Sequence, residues 1–153
     1  MFTMSMVNIR EAIPEDILII ANGMRHEDSI EIIAQGYEDN HSALMRSFEK
    51  SKYRLTIEHK GVPVGMFGLI EADMNTANVW LLGTPGLANM KKSFLKLSKE
   101  IISEMLTEYP VLFAQVDGRY AKTRRWLEWL GAKDNGEYAL NGIGFNNFVF
   151  RRA

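Results

Sequence analysis

The chain has 153 residues, 46% of them hydrophobic and 24% charged, and this length predicts one domain, residues 1–153, with a substantial core. The 18 basic and 19 acidic side chains give a net charge of −1, which does not favour a nucleic-acid partner. The chain contains no cysteine, which excludes disulfides, thiolate metal sites and cysteine nucleophiles and fits a cytoplasmic location. No apolar stretch approaches the roughly 20 residues of a membrane helix, so we expect no membrane contact.

The charged residues are unevenly distributed along the chain. Residues 1–75 carry 7 basic and 12 acidic side chains, whereas residues 76–153 carry 11 basic and 7 acidic ones. A bound anion would therefore meet the second half of the chain. The alternative is that both sets of charges belong to solvated helix faces, and the charge count alone favours this alternative.

The first half of the chain predicts a strand, a group of helices and then three strands. Val7–Ala12 alternates as a strand does, and Pro14 suits the first turn of the helix that follows. The residues predicted to be buried in the first two helices are Ile17, Leu18, Ile20, Ala21, Met24, Ile30, Ile33 and Ala34. A third helix is predicted over His41–Ser51. The three strands that follow are predicted as Tyr53–His59, Val62–Ile70 and Asn78–Gly83, with Lys60-Gly61 as the turn of a hairpin.

The second half predicts a long helix, a buried strand, a second helix and a final hairpin. After Gly83, the block Thr84–Asn89 breaks the strand pattern. The elements predicted after it are a helix over Met90–Glu108, a strand over Val111–Val116, a helix that ends at Gly131, and strands over Ala132–Leu140 and Gly144–Arg151. Trp126 and Trp129 of the second helix are predicted as core anchors rather than as a stacking platform. This order predicts a mixed α/β sheet in which the long helix is a crossover.

The order of elements and three local motifs resemble the GNAT superfamily of N-acetyltransferases over nearly the whole chain. Ile9–Asp16 resembles the opening of the family, a strand ending in Arg-x-Ala before a helix that begins near an acid. Val62–Gly68 resembles the third strand with its recurring small residues, and Trp126–Ala132 resembles the late helix that ends in glycine. The late helix is similar, more narrowly, to that of small phage-encoded GNAT-like proteins, some of them associated with virion assembly. The resemblance implies a mixed, mostly antiparallel sheet flanked by helices, with acetyl-CoA as a substrate.

The resemblance implies a site for the pyrophosphate of acetyl-CoA after the fourth strand, where the family has Gln/Arg-x-x-Gly-x-Gly/Ala. Backbone N–H groups and the positive end of a helix bind the anion there. In this chain only Gly86 and Ala88 of the loop are small, and Pro85 lacks an N–H group. Lys91 and Lys92 would supply point charges; alternatively, these lysines face solvent and Thr84 or Asn89 caps the helix. The cofactor-binding residues that the resemblance implies are Leu81, Leu82, Gly83, Thr84, Gly86, Ala88, Asn89, Lys91, Lys92 and Lys122.

The resemblance also implies an acid and a base. The family's acidic tyrosine lies four residues before the glycine of the late helix, where this chain has Leu127, which has no proton to give. Tyr120, at the start of the same helix, is the substitute candidate. Glu71 is the candidate base, because family bases lie on the fourth strand or the turn before it and the attacking amine must lose a proton. Both are also ordinary packing or solvated residues in many proteins. The histidines have no metal-ligand spacing, so no metal is expected.

The sequence leaves two main functions open, and a third, a nucleic-acid-binding module, rests only on the basic second half and is the weakest. The first is an acetyl-CoA-dependent N-acetyltransferase that acts on a small-molecule or protein amine. The second is a catalytically silent GNAT-fold phage protein that acts in virion assembly or on a phage or host protein, in the host cytoplasm or the virion. Pro85 and Leu127 favour the second function. We favour the first by a small margin, because GNAT members tolerate loss of the tyrosine and of individual loop glycines.

Overall fold

Eight strands form one sheet within the described part of the chain, in the order β1-β2-β3-β4-β5-β6-β8-β7. The computed structural model describes residues 3–4 and 6–153, except for the side chains of residues 3, 4 and 91. The strands are β1 Thr3–Met4, β2 Val7–Glu11, β3 Tyr53–His59, β4 Val62–Glu71, β5 Thr76–Gly83, β6 Val111–Asp117, β7 Lys133–Leu140 and β8 Ile143–Arg151. Neighbouring strands are antiparallel except for β5 and β6, which are parallel.

Helices cover both faces of the sheet. They are α1 Pro14–Asn22, α2 His26–Ala34, α3 Asn40–Lys50, α4 Lys91–Glu108 and α5 Ala121–Trp129, and a 3₁₀ turn over Pro85–Met90 precedes α4. Helices α1 to α3 connect β2 with β3, α4 is the crossover between the parallel strands, and α5 connects β6 with β7. Of the helices in residues 6–153, none is both long and apolar enough to cross a membrane.

The two faces of the sheet form separate parts of the core. On one face, Met66 of β4 packs against Ile20 of α1 and Leu44 of α3, and all three are fully buried. On the other face, Leu97 of α4 and Leu127 of α5 pack against the sheet. Each such side chain contributes about 1.5–3 kcal/mol by burial. Helices α4 and α5 are therefore fixed on one side of the sheet, and α1 and α3 on the other.

The predicted element order and the mixed, mostly antiparallel sheet are confirmed. The prediction that Leu18 and Ile33 are buried is wrong, because their side chains are 56% and 58% exposed. Each follows a buried isoleucine by one residue, which turns it about 100° away from the face that packs on the sheet. Trp129 is not a core anchor either: it is 49% exposed, and Lys99 Nζ lies 4.4 Å from its ring centroid. Strand β5 begins at Thr76, two residues before the predicted start.

The parallel pair β5–β6 is short and then opens into a gap. Within residues 6–153 the two strands are in register at three pairs only, the last of which joins Asn78 and Phe113. A chain of side-chain amides marks this point. Asn78 Nδ2 donates to Gln115 Oε1 at 2.8 Å, and Gln115 Nε2 donates to Asn147 Oδ1 at 3.0 Å. Beyond this point the pairing of β5 with β6 ends, which leaves a gap between the two strands.

Candidate functional site

Two cavities lie on opposite faces of the sheet and meet at the gap between β5 and β6. The α4–α5 cavity, of about 120 Å³, is lined by β5, β6, α4 and α5. The α2–β7 cavity, of about 500 Å³, is lined by α2, α3, β5 and β7. Glu31, Gln115 and the segment 79–81 line both cavities. A group held in one cavity is therefore adjacent to a group held in the other.

Glu31 of α2 is the titratable side chain at the junction of the cavities. Burial, and then the negative charges of Asp28 and Asp117, raise the pKa of Glu31 to about 8, although the backbone N–H of Asp117 and the charge of Arg25 oppose the rise. A carboxyl group with this pKa gains and loses a proton near neutral pH. That property suits a general base.

The N-terminal end of α2 is fixed on the last residue of β5. The backbone N–H of Arg25 donates to the Gly83 carbonyl at 2.8 Å, and the Gly83 N–H donates to Asp28 Oδ2 at 2.9 Å. Arg25 Nε donates to the same carboxylate oxygen at 2.7 Å. Glu31 follows Asp28 by three residues and so lies on the same face of α2 one turn later. This arrangement holds the Glu31 carboxyl over the gap.

Tyr120 lies at the start of α5 and lines the α4–α5 cavity. Burial raises the pKa of Tyr120, and the charges of Asp117, Glu31 and Glu27 add to the rise while Arg119 opposes it. The hydroxyl therefore carries its proton at neutral pH. The tyrosine named as the acid from sequence shares a site with Glu31.

Glu71, the base named from sequence, lies away from both cavities. In the sheet it is opposite Ala77, near the start of β5, whereas the gap opens at the other end of that strand. Its carboxylate accepts a hydrogen bond from the Tyr109 hydroxyl and lies 3.6 Å from Lys52 Nζ. Lys52 also donates to Glu108 at 2.7 Å, so Glu71 is part of a surface ion-pair network. The structure does not bring Glu71 and Tyr120 together.

The last residues of β5 have different surroundings. Leu81 lines both cavities, and Leu82 lines the α2–β7 cavity. Gly83 is buried, and both of its backbone polar groups are bonded to the start of α2. Of these three predicted cofactor-binding residues, Leu81 is the one that lines both cavities.

The loop after β5 uses most of its backbone donors within the protein. The Thr84 N–H donates to the Val64 carbonyl at 2.8 Å, and the Gly86 N–H donates to Thr84 Oγ1 at 3.2 Å. Ala88 and Asn89 are exposed on the 3₁₀ turn. Because Pro85 has no N–H and the turn packs Leu87 into the core, this loop does not present the row of free donors that the family motif implies.

The first turn of α4 retains donors that the loop lacks. Its N-cap residue, Met90, forms no side-chain cap, and the turn contains no acidic residue. Uncapped N–H groups at the positive end of a long helix favour an anion. Lys92 is exposed in this turn, whereas the side chain of Lys91 lies outside the described part of the structure. Lys122 is exposed on α5.

An unpaired buried donor belongs to a side chain that lines the α4–α5 cavity. The Trp126 indole N–H is buried and finds no hydrogen-bond acceptor among residues 6–153. Its ring lies 5.5 Å from that of Phe94, and both side chains line the cavity. A buried donor without a partner costs about 1–3 kcal/mol.

No family model matches the chain, and no curated protein matches it. Solved structures match it over nearly their whole length. A GNAT-family acetyltransferase from Bacillus anthracis is similar with a TM-score of 0.74 and 13% identity, over 97% of this chain and 96% of that one. The ribosomal-protein-S5-alanine acetyltransferase from Vibrio fischeri gives a TM-score of 0.69 and 13% identity, over 98% and 95%. A variant of spermidine N-acetyltransferase from Vibrio cholerae gives 0.67 and 15%, over 95% and 94%.

The chain has the GNAT fold. Sequence reasoning identified this fold but missed Glu31, because α2 was the helix whose position in space was hardest to infer. The available signal was local: Asp28 and Glu31 are three residues apart, on one face of a short amphipathic helix. What the sequence did not show is that α2 of this GNAT fold lies across the gap between β5 and β6.

Proposed function

We propose that the protein is an acetyl-CoA-dependent N-acetyltransferase that transfers an acetyl group to an amine. The observation that carries the proposal is the meeting of two cavities at the β5–β6 gap, with Glu31 lining both. The two Vibrio proteins of the same fold are named for acetylating spermidine and a ribosomal-protein alanine. Their names support an amine as the acceptor.

The residues around the α4–α5 cavity fit acetyl-CoA, which supplies the acetyl group as a thioester when bound. The unpaired Trp126 N–H suits an amide carbonyl, a group that the pantetheine arm contains. The uncapped first turn of α4, with Lys91 and Lys92, suits the phosphates. Lys122 on α5 is the candidate contact for a further phosphate.

Glu31 and Tyr120 provide the proton transfers of this proposal. Glu31 takes a proton from the amine nitrogen as that nitrogen bonds to the acetyl carbon, and Tyr120 gives its hydroxyl proton to the sulfur as the carbon–sulfur bond breaks. Each general acid or base contributes about 10²–10⁴-fold to the rate. Alignment of the two substrates through the gap contributes further, because direct transfer needs no covalent enzyme intermediate. This proposal assigns to Glu31 the role first considered for Glu71.

One observation supports the alternative, a catalytically silent protein of this fold, phage-encoded and acting in virion assembly or on a host protein. The backbone donors of Gly83, Thr84 and Gly86 are bonded within the protein and are not offered to a pyrophosphate. The two functions differ in whether acetyl-CoA binds at all. In either case, the lack of cysteine supports the cytoplasm as the compartment.

Calorimetric titration of acetyl-CoA, followed by a free-thiol release assay over a panel of amines, tests the proposal. We expect binding, and turnover that Glu31→Gln reduces by about 10²–10⁴-fold. Glu100→Gln, at an exposed position on α4, is the matched control and should retain activity. Absence of both acetyl-CoA binding and thiol release would overturn the proposal and leave the silent protein.

A further inference from the structure

The α2–β7 cavity contains one charged group among its described lining residues. That group is Glu31, and no lysine, arginine or histidine of the described chain lines the cavity. The other polar side chains in its wall are neutral, among them Gln35, Asn78 and Gln115. The cavity therefore offers a ligand a single ionisable carboxyl group and no cationic side chain.

The rest of the cavity wall is aromatic and aliphatic. Trp80, Tyr37 and Tyr138 line it together with Ile32, Ile70, Leu82 and Leu140. Trp80 is held in place by two contacts. Its Nε1 donates to Ser51 Oγ at 2.7 Å, and its ring packs so closely over Gly68 that a Cβ on Gly68 would lie 2.7 Å from the ring. Aromatic faces attract an organic cation that has lost its water.

The hairpin of β7 and β8 is fastened to α2 at one end of the cavity. Asn141 of the turn adopts a positive φ of 52°, and its Nδ2 donates to the Ala34 carbonyl at the end of α2, at 2.9 Å. Tyr138 and Glu31 line the same cavity, and burial, followed by the charge of Glu31, raises the pKa of Tyr138. A volume of about 500 Å³ between these elements suits a small molecule.

We propose that the amine acceptor is a small monoamine whose body is uncharged and apolar or aromatic. The inference rests on the proposed function and assigns its substrate class. The ammonium group of such a molecule binds beside Glu31 and loses one proton to water, and Glu31 takes a second proton as the free amine bonds to the acetyl carbon. A second ammonium group would lose its hydration without gaining a carboxylate from the cavity wall, and a carboxylate on the acceptor would meet Glu31 with no lysine, arginine or histidine in that wall. The cavity therefore selects against polyamines and amino acids as well as for monoamines.

Two matched pairs of amines test the charge requirement in the thiol-release assay. Pentylamine and cadaverine differ by a second amine, and phenethylamine and phenylalanine differ by a carboxylate. We expect kcat/KM for the first member of each pair to exceed that for the second by about tenfold or more, the ratio that about 1.4 kcal/mol produces. Equal or better turnover of cadaverine, spermidine or phenylalanine would overturn the inference while leaving the acetyltransferase proposal in place.

A substitution at Tyr138 tests whether this cavity is the site of selection. Tyr138→Asp adds a second carboxylate to the cavity at a position that is 39% exposed on an edge strand. Tyr138→Asn is the neutral control, because asparagine has the same size as aspartate. We expect Tyr138→Asp, relative to Tyr138→Asn, to shift the kcat/KM ratio towards cadaverine by about tenfold. An unchanged ratio in two folded variants would contradict the inference.

Calorimetry with phenethylamine and the protein alone separates the inference from the proposed function. If phenethylamine binds and Glu31→Gln abolishes this binding, the monoamine site is supported. If, in addition, no amine causes thiol release, only the acetyltransferase proposal is refuted. Absence of phenethylamine binding, with acetyl-CoA present or absent, would overturn the inference even in an enzyme active on other amines.

Discussion

Glu31→Gln should make the protein more stable at alkaline pH, and the size of this effect follows from the position of Glu31. Its pKa rises from 4.5 to about 8 in the folded chain. Between these pH values the folded protein holds a proton that the unfolded chain has lost, so the free energy of unfolding falls as the pH rises. Each tenfold difference in proton affinity is worth about 1.4 kcal/mol, which sets a ceiling of about 5 kcal/mol. Because Glu31 keeps some contact with solvent, we expect its ionisation to lower the free energy of unfolding of the wild type by roughly 1–3 kcal/mol at alkaline pH.

Urea unfolding followed by circular dichroism measures this decrease without reference to any activity. Wild type and Glu31→Gln should have similar free energies of unfolding at about pH 4 to 5 and should differ by roughly 1–3 kcal/mol at about pH 9. Glu100→Gln is the control for removal of an ordinary exposed carboxylate and should follow the wild type. If Glu31→Gln shows the same pH dependence as the wild type, Glu31 ionises as it does in an unfolded chain. The reasoning that makes it a base would then fail.

Three further predictions concern the cofactor side. Tyr120→Phe should lower kcat by about 10²–10⁴-fold and leave the Kd for acetyl-CoA unchanged in calorimetry, and an undiminished kcat would remove Tyr120 as the acid. Replacing both Lys91 and Lys92 with Glu should weaken coenzyme A binding and reduce its dependence on salt; a variant Kd equal to that of the wild type at both low and moderate salt would exclude a phosphate role for these lysines. Leu127→Tyr should lower the free energy of unfolding by about 1–3 kcal/mol in urea unfolding, because Leu127 is 5% exposed and packs among other buried residues, although it also lines the α4–α5 cavity. A variant of unchanged stability with faster thiol release would show instead that a tyrosine fits there.

The sequence was sufficient for the fold because the signals for it are local. Alternation along Tyr53–His59, the Lys60-Gly61 turn and the helical period after Met90 each reflect the geometry of one element, and their order leaves few arrangements. The site was predicted less well because it depends on contacts between distant segments. Glu31 is significant only because Gly83, more than 50 residues later in the chain, fixes the start of its helix.

The loop after β5 shows the same limit on sequence reasoning. The sequence shows that Pro85 removes one donor, but the partners of the Thr84 and Gly86 N–H groups are visible only once the turn is folded. The exposed position of Trp129 has a related cause. A tryptophan near a helix end is apolar enough to be buried, but the direction of its side chain depends on where the helix lies on the sheet.

The short β5–β6 pair joins two panels of the sheet, β1 to β5 and β6 to β8, at three residue pairs within the described residues. The start of the Glu31 helix is bonded to the β5 panel through Gly83, and the Glu31 carboxyl is bonded to the backbone N–H of Asp117 at the end of the β6 panel, three residues before Tyr120. Glu31 therefore spans the joint between the panels, and its position relative to Tyr120 depends on how the two panels meet. The amide chain through Gln115 spans the joint beside the last residue pair and resists a change in how the panels meet. A substitution at Gln115 would thus alter the alignment of the two proton-transfer groups from a distance, by relaxing the joint between them.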